Sequence, residues 1–328
     1  MTCVPPASLL GPAWTRTEAL MAQYLSSDIE LLDRTNRSLL AHGGKKLRPM
    51  LCLLSARAAG GECTEDSAHY AAAMELLHNA TLLHDDVVDG SPLRRGRPTI
   101  NALLGGTASV LLGDSWLVKA LDSILDAPGE SSGQVLRLFS WTLSELAAGE
   151  ILQLQMALSG NTGEKEYFRI IGAKTGSLFE TAVVSGALSV GASAPVVDAL
   201  REYARNLGLA FQVRDDLLDV AGTEDTAGKP VGADLLEQKI TLPLLGAFLS
   251  AGPEEEGRIR KMIPGVADHP EQVAEIVAFI RAHDGVAYAA RRLEGLIDAA
   301  RAALEPLPES EARGWLLSVA EELKWNRI

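Results

Sequence analysis

Apolar residues recur along this chain at steps of three and four far more often than at steps of two. In "ALREYARNLGLAFQVRDDLLDV", Leu200, Tyr203, Leu207, Ala210 and Phe211 fall on one stripe, as a helix with a single buried face requires. The same period predicts helices over 66–90, 106–125, 135–157, 172–190, 196–221, 235–250, 270–282, 286–304 and 309–325. The breaks carry Gly, Pro or Asp, as in "DAPGE" from 126, "GASAP" from 191 and "AGPEEEG" from 251. Alternating strand patterns are nearly absent, and neither a long linker nor a low-complexity tract divides the chain. The expectation is one all-α domain over residues 1–328.

Composition changes that picture in two ways. Hydrophobic residues make up 47% and charged residues 22%, ordinary for a chain that folds around a core. Asp and Glu number 43 against 30 Lys and Arg, for a net charge of −13, which argues against nucleic acid as a partner. An anionic ligand must therefore be met by local basic groups or by metal ions. Cys3, Cys52 and Cys63 show no CxxC spacing and read as incidental thiols in a reducing compartment. The N-terminus lacks a basic n-region, and no apolar run reaches the ~18 residues needed to cross a bilayer. The chain is expected to be cytoplasmic, with an apolar product able to bring it to a membrane surface.

The candidate chemistry begins in "TLLHDDVVDGSPLRRG", where Asp85, Asp86 and Asp89 close an apolar run and Arg94 and Arg95 come after it. The spacing is repeated in "FQVRDDLLD", with Asp215, Asp216 and Asp219 near the end of another predicted helix. Positions i and i+4 share a helix face, so Asp85 projects with Asp89 and Asp215 with Asp219. Two carboxylates ~6 Å apart repel by ~3 kcal/mol at an effective dielectric of 20. Such clusters need cations, and oxygen-only ligands suit hard divalent ions, Mg²⁺ in particular. One copy of DDxxD is equally readable as an acidic helix end on the surface; two copies, each behind a buried apolar helix, are not. An EF-hand fails, since DxDxDG and the distal Glu are missing.

Basic groups accompany the acidic ones. "HGGKKLRPML" places Gly43 and Gly44 before Lys45, Lys46 and Arg48, giving a flexible approach to an anion. "AKTGSLF" offers Lys174 and Thr175, and "GKPVGADLLEQKITLP" offers Lys229 and Lys239. Singly, each is more often a solvated surface charge.

Together these residues resemble the all-trans polyprenyl diphosphate synthases. The likeness runs through GGKxxRP (Gly43 to Pro49), ExxHxxxLxHDDxxD (Glu75 to Asp89), RRG (Arg94 to Gly96) and GD (Gly113, Asp114). It continues through GExxQ (Gly149 to Gln153), KT (Lys174, Thr175), FQxxDDxxD (Phe211 to Asp219) and GKxxGxDL (Gly228 to Leu235). The resemblance implies the isoprenoid synthase fold, antiparallel helices around a deep central cavity, in a homodimer. It implies that the six motif aspartates hold Mg²⁺ ions, typically three, which grip an allylic diphosphate together with Arg94, Lys174, Lys229 and Lys239. Isopentenyl diphosphate would take a metal-free site made by Lys45, Arg48, His78 and Arg95. Asp85, Asp89, Asp215 and Lys174 would assist loss of diphosphate, and the oxygens of Thr175 and Gln212 would face the resulting allylic cation. His84 is assigned to packing or to support of the aspartates.

Departures from the family pattern are modest: Gln238 stands where Gly is common before the second lysine, and Ser115 where an aromatic often comes after GD. Two rivals share parts of the pattern. A class I terpene cyclase would not need GGKxxRP or RRG, and a non-catalytic partner subunit would typically lack aspartates from one motif. Product length is read from the helix before Asp85. Members that stop at farnesyl or geranylgeranyl diphosphate often carry an aromatic four or five residues before the first Asp; here Thr81 and Ala80 are small and Leu77 is aliphatic. At about 1.5 Å rise per residue this implies products of about six to ten isoprene units, as quinone side-chain precursors require, with a shorter chain as the alternative.

Overall fold

The computed structural model describes residues 7–325 except 43, 95 and 223–230. Helices α1 (Ala7–Tyr24), α2 (Glu30–Ala41) and α3 (Leu47–Ala58) precede α4 (Glu65–Val88). Next come α5 (Ile100–Leu104), α6 (Gly106–Leu125), α7 (Ser132–Ser159), α8 (Glu164–Ile171), α9 (Ser177–Ser189) and α10 (Ala194–Ala221). The chain continues through α11 (Ala233–Leu236), α12 (Leu242–Ser250), α13 (Pro253–Met262), α14 (Gln272–Ala282), α15 (Gly285–Ala303) and α16 (Glu311–Glu321). Between α4 and α5 lies a two-stranded antiparallel hairpin, β1 (Leu93–Arg94) and β2 (Arg97–Pro98), pairing Leu93 with Pro98 and Arg94 with Arg97. The all-α expectation holds.

Helix α9 is buried nearly all round and forms the centre, ringed by α3, α4, α7 and α10, as an apolar helix without a polar face must be. Helix α4 is sealed from Ala68 to Leu77 and opens only towards its aspartate-bearing end. Its start is fixed by a capping box, in which the Thr64 side chain accepts from Ser67 N and the Ser67 side chain accepts from Thr64 N. Helix α6 lies along α4, α15 along α10, and α16 closes over α3.

Six helices fall outside the periodicity reading: α1, α2, α3, α5, α8 and α13. Gly11 and Pro12, which read as a break, lie inside an unbroken α1, and α13 opens on Pro253 within "AGPEEEG". Proline is tolerated in a first turn, where its missing N–H would have no partner, so the break begins a helix. The helix expected over 235–250 is two, α11 and α12, separated by a left-handed residue at Gln238 (φ 58°). The helix expected from 172 opens as a single π-helical turn, Gly172–Gly176.

Candidate active site

The acidic ends of α4 and α10 face a cavity of about 310 Å³. From α4 come Asp85 and Asp89, one turn apart on one face, and from α10 Gln212 and Asp216, also one turn apart. Arg94, Lys174, Thr175, Tyr167, Asp234 and Lys239 are among the other polar residues of the lining, and Met156, Ala157, Ile170, Ile171 and Ile240 supply an apolar wall.

Adjacent aspartates play different parts. Asp86 lies about 100° round the helix from Asp85 and is buried, with Oδ1 accepting from Arg94 Nε at 2.7 Å. The hairpin returns Arg94 over the end of α4, and Asn101 Nδ2 secures the turn by donating to Asp86 O at 3.0 Å. On α10, Asp215 is exposed at the rim, whereas Asp216 and Asp219 are 2% and 1% exposed. Asp216 has a donor on each oxygen, Gln212 Nε2 at 2.9 Å and Tyr167 OH at 2.6 Å. Asp219 holds the next loop: its Oδ2 accepts from Asp234 N at 3.2 Å and its carbonyl from Gly232 N at 2.8 Å. That contact delivers Asp234 to the cavity.

Lys174 and Thr175 ride on the π turn. An extra residue in one turn rotates the residues beyond it about the helix axis, and such turns recur at functional sites; here both side chains reach the cavity. Lys174 forms an ion pair with Glu150 and donates to Gln153 Oε1 at 3.0 Å. Helix α7 can approach this closely because residue 149 is Gly: a Cβ there would lie 2.8 Å from Ala173 Cβ. The GExxQ run is thus the cradle of Lys174. Lys239 reaches the cavity through the left-handed backbone at Gln238 and pairs with Glu237. His84 packs on Gly113 and sets Nε2 3.2 Å from Asp114 Oδ1, so HDD and GD meet in the α4–α6 contact.

Among the described residues, four carboxylates line the cavity against three cationic side chains, and each of those cations already faces a carboxylate. The carboxylates bear the strain. Burial, then the nearby Glu150, pushes Asp85 up to about 6. Burial, then Asp234, likewise raises Asp216, opposed by its bonds from Tyr167 and Gln212. Burial alone would lower Lys239, but Glu237, Asp234 and Asp89 outweigh it and raise its pKa. A diphosphate cannot enter this cavity without further cations. The donor set suits hard divalent ions: the lining offers carboxylate oxygens and neither Cys nor His. Among the described residues no three acidic, His or Cys side chains close on one point, so a bound ion would complete its shell with water and phosphate oxygens, as Mg²⁺ prefers.

The other expected residues are placed less centrally. The Arg48 guanidinium stacks 5.0 Å from the Phe179 ring centroid, Lys45 is exposed and His78 half-buried; none of the three lines this cavity. A second cavity, of about 440 Å³, lies across the Asp86–Arg94 pair and is lined by His42, Asn79, Leu82 and Arg97 among others. Arg95 and Lys229 lie outside the described residues. Ala80 and Leu77 are sealed in helix packing, 1% and 0% exposed, and Thr81 donates to His78 O at 2.8 Å. Glu150, Gln153, Tyr167 and Asp234 were not expected in the site, although GExxQ and GxDL contain three of them. Tyr167 had no such signal.

Two acidic helix ends meet across a cavity with interleaved cations, walled by apolar side chains in an all-helical bundle, a donor set suited to divalent ions and a diphosphate. The polyprenyl synthetase family model matches residues 29–280, and the chain belongs to that family of prenyltransferases. It is 38% identical to the all-trans-nonaprenyl-diphosphate synthase (geranyl-diphosphate specific) of Rhodobacter capsulatus, over 94% of each chain. It is also 38% identical to the octaprenyl diphosphate synthase of Escherichia coli, over 92% of each. Among solved structures it is similar to a polyprenyl synthase from Caulobacter crescentus, complexed with calcium and isoprenyl diphosphate. There the TM-score is 0.89 and the identity 34%, over 97% of this chain and 95% of that one.

Proposed function

We propose that this chain condenses an allylic diphosphate, such as farnesyl diphosphate, with successive isopentenyl diphosphate units to build an all-trans polyprenyl diphosphate. The observation that carries the reading is the convergence of Asp85 and Asp89 with Asp216, Gln212, Lys174 and Lys239 on one partly apolar cavity. Bound Mg²⁺ would supply the positive charge that makes diphosphate a good leaving group. Asp85, Asp89 and Asp215 are the residues that would hold it, with Asp86, Asp216 and Asp219 fixing the surrounding frame. Arg94, Lys174 and Lys239 bind the allylic diphosphate and stabilise it as it departs. Thr175 and Gln212 present oxygens to the cationic carbon skeleton, and Ile170, Ile171 and Ile240 keep water from it. Lys45, Arg48, His78 and Arg95 take isopentenyl diphosphate, and Lys229 joins the groups that bind the allylic diphosphate.

The product would reach about six to ten isoprene units, by analogy with the octaprenyl and nonaprenyl synthases and from the small residues Ala80 and Thr81. The working form is a homodimer in the cytoplasm, with association at a membrane surface when the product leaves; among the described residues no helix is long and apolar enough to cross a membrane.

The test is diphosphate release by the purified chain from farnesyl and isopentenyl diphosphates. Release should require Mg²⁺, stop with a chelator, and fall at least ~10³-fold in kcat in Asp85→Ala, the loss of about 4 kcal/mol of transition-state stabilisation. Full release in chelator would contradict the metal-assisted reading.

A further inference from the structure

Tyr167 lines the cavity with only 3% of its surface exposed, and its hydroxyl donates to Asp216 Oδ2 at 2.6 Å. The other oxygen of Asp216 accepts from Gln212 Nε2 at 2.9 Å, and Gln212 Oε1 in turn accepts from Thr175 Oγ1 at 2.8 Å. The order of donors and acceptors is dictated by chemistry. Asp216 Oδ1 accepts at this contact, so it is the amide nitrogen of Gln212 that faces it. The amide oxygen is then turned to Thr175, and since that oxygen only accepts, the single hydroxyl proton of Thr175 must point at Gln212. What Thr175 has left to offer the cavity is lone pairs.

We propose that Tyr167 and Asp216 form a directional hydrogen-bond relay that sets the Gln212 amide and, through it, aims the hydroxyl oxygen of Thr175 at the reacting carbon. The idea rests on the prenyl-transfer reading above. It makes Tyr167 a positioning residue: it lines the cavity wall, but its hydroxyl is committed to Asp216 and acts on the reacting carbon through Asp216, Gln212 and Thr175. A hydroxyl fixed this way opposes positive charge with its negative end and needs no reorientation as charge develops, the condition for electrostatic preorganisation. Without the Tyr167 bond the Asp216 carboxyl group can swing away from Gln212, which frees the amide to turn over and Thr175 to point its proton into the cavity, where it would oppose a cation. The anchor is placed for this: α8 carries Tyr167 one helical segment before the π turn, and α10 carries Gln212 and Asp216 one turn apart.

A double-mutant cycle tests the relay. Tyr167→Phe removes one oxygen and should lower kcat by about tenfold, with KM for both substrates and the Mg²⁺ requirement within about twofold of wild type. Thr175→Val lowers kcat by itself, and in that background Tyr167→Phe should cost less than about twofold, because the hydroxyl it orients is gone. Equal losses in both backgrounds would show a merely structural role and overturn the relay, as would a raised Mg²⁺ requirement or an unchanged kcat in Tyr167→Phe. If Tyr167→Phe fails to fold, Asp216→Leu, which removes the acceptor that holds the Gln212 amide nitrogen, carries the same cycle with the same outcomes. Wild type that does not turn over would instead defeat the prenyl-transfer reading.

Discussion

Asp85 and Asp86 are neighbours in sequence with opposite surroundings. Asp86 faces Arg94 and is neutralised in place, whereas Asp85 faces Glu150 across the cavity and is left wanting a cation. Sequence spacing puts Asp85 and Asp89 on one face, and that pair does line the cavity together. The same spacing applied to Asp215 and Asp219 does not carry over, because Asp219 is drawn into the backbone of the loop before α11. A motif read residue by residue therefore shows which helix end bears the charge. Which carboxylate meets the ligand depends on the loop beyond that end.

Gln238 is a second residue-scale case. Its φ of 58° is a conformation that a side chain opposes by roughly 1–2 kcal/mol, and it turns Lys239 towards the substrate. The bond from its Nε2 to Pro264 O, 3.0 Å long, offsets part of that cost. Gln238→Ala keeps the Cβ and loses the bond; Gln238→Gly loses both. The glycine variant should therefore be more stable than the alanine variant by about 1 kcal/mol in chemical unfolding, the reverse of their order inside a helix. Alanine equal to or better than glycine would show that the turn relaxes.

At the scale of elements, helices with a long apolar period were legible: α4, α6, α7, α9 and α10 lie close to their expected spans. The π turn was not, since nothing in "GAKTG" distinguishes it from an ordinary helical turn; it depends on α7 and α10 closing on both sides. Tyr167 was illegible for a related reason, an aromatic on an amphipathic helix being read as core until its hydroxyl is seen to have a carboxylate partner.

Helix α4 also carries the product-length prediction. Ala80 is sealed in packing, so a growing chain must part the helices beside it or run along the neighbouring face. Ala80→Phe should shorten the products from about six to ten units to three or four, read by chromatography of the dephosphorylated lipids. If Ala80 is only a packing contact, the ring instead lowers stability by about 1–3 kcal/mol with product length unchanged. Wild-type products of about twenty carbons or fewer would refute the long-chain assignment and leave the prenyl-transfer chemistry intact.

The whole molecule leaves an apolar face uncovered. On α6, Leu111, Val118 and Leu125 recur every seven residues and are 63%, 51% and 60% exposed, and Ile151, Leu154 and Leu158 extend the patch on the neighbouring α7. In the homodimer proposed above, a second copy about a two-fold axis would cover this patch, with the same stripe serving both partners. Light scattering should give twice the chain mass for wild type and a single chain for Leu111→Asp/Val118→Asp. A monomeric wild type at micromolar concentration would contradict the dimer.

Product analysis of the purified chain alone reaches the central claim most directly, that one cavity bearing both acidic helix ends extends an allylic diphosphate. With farnesyl diphosphate, isopentenyl diphosphate and Mg²⁺, the dephosphorylated lipids should be all-trans polyprenols of about six to ten units, absent when chelator is added. A hydrocarbon product, or no product from this chain by itself, would contradict the account.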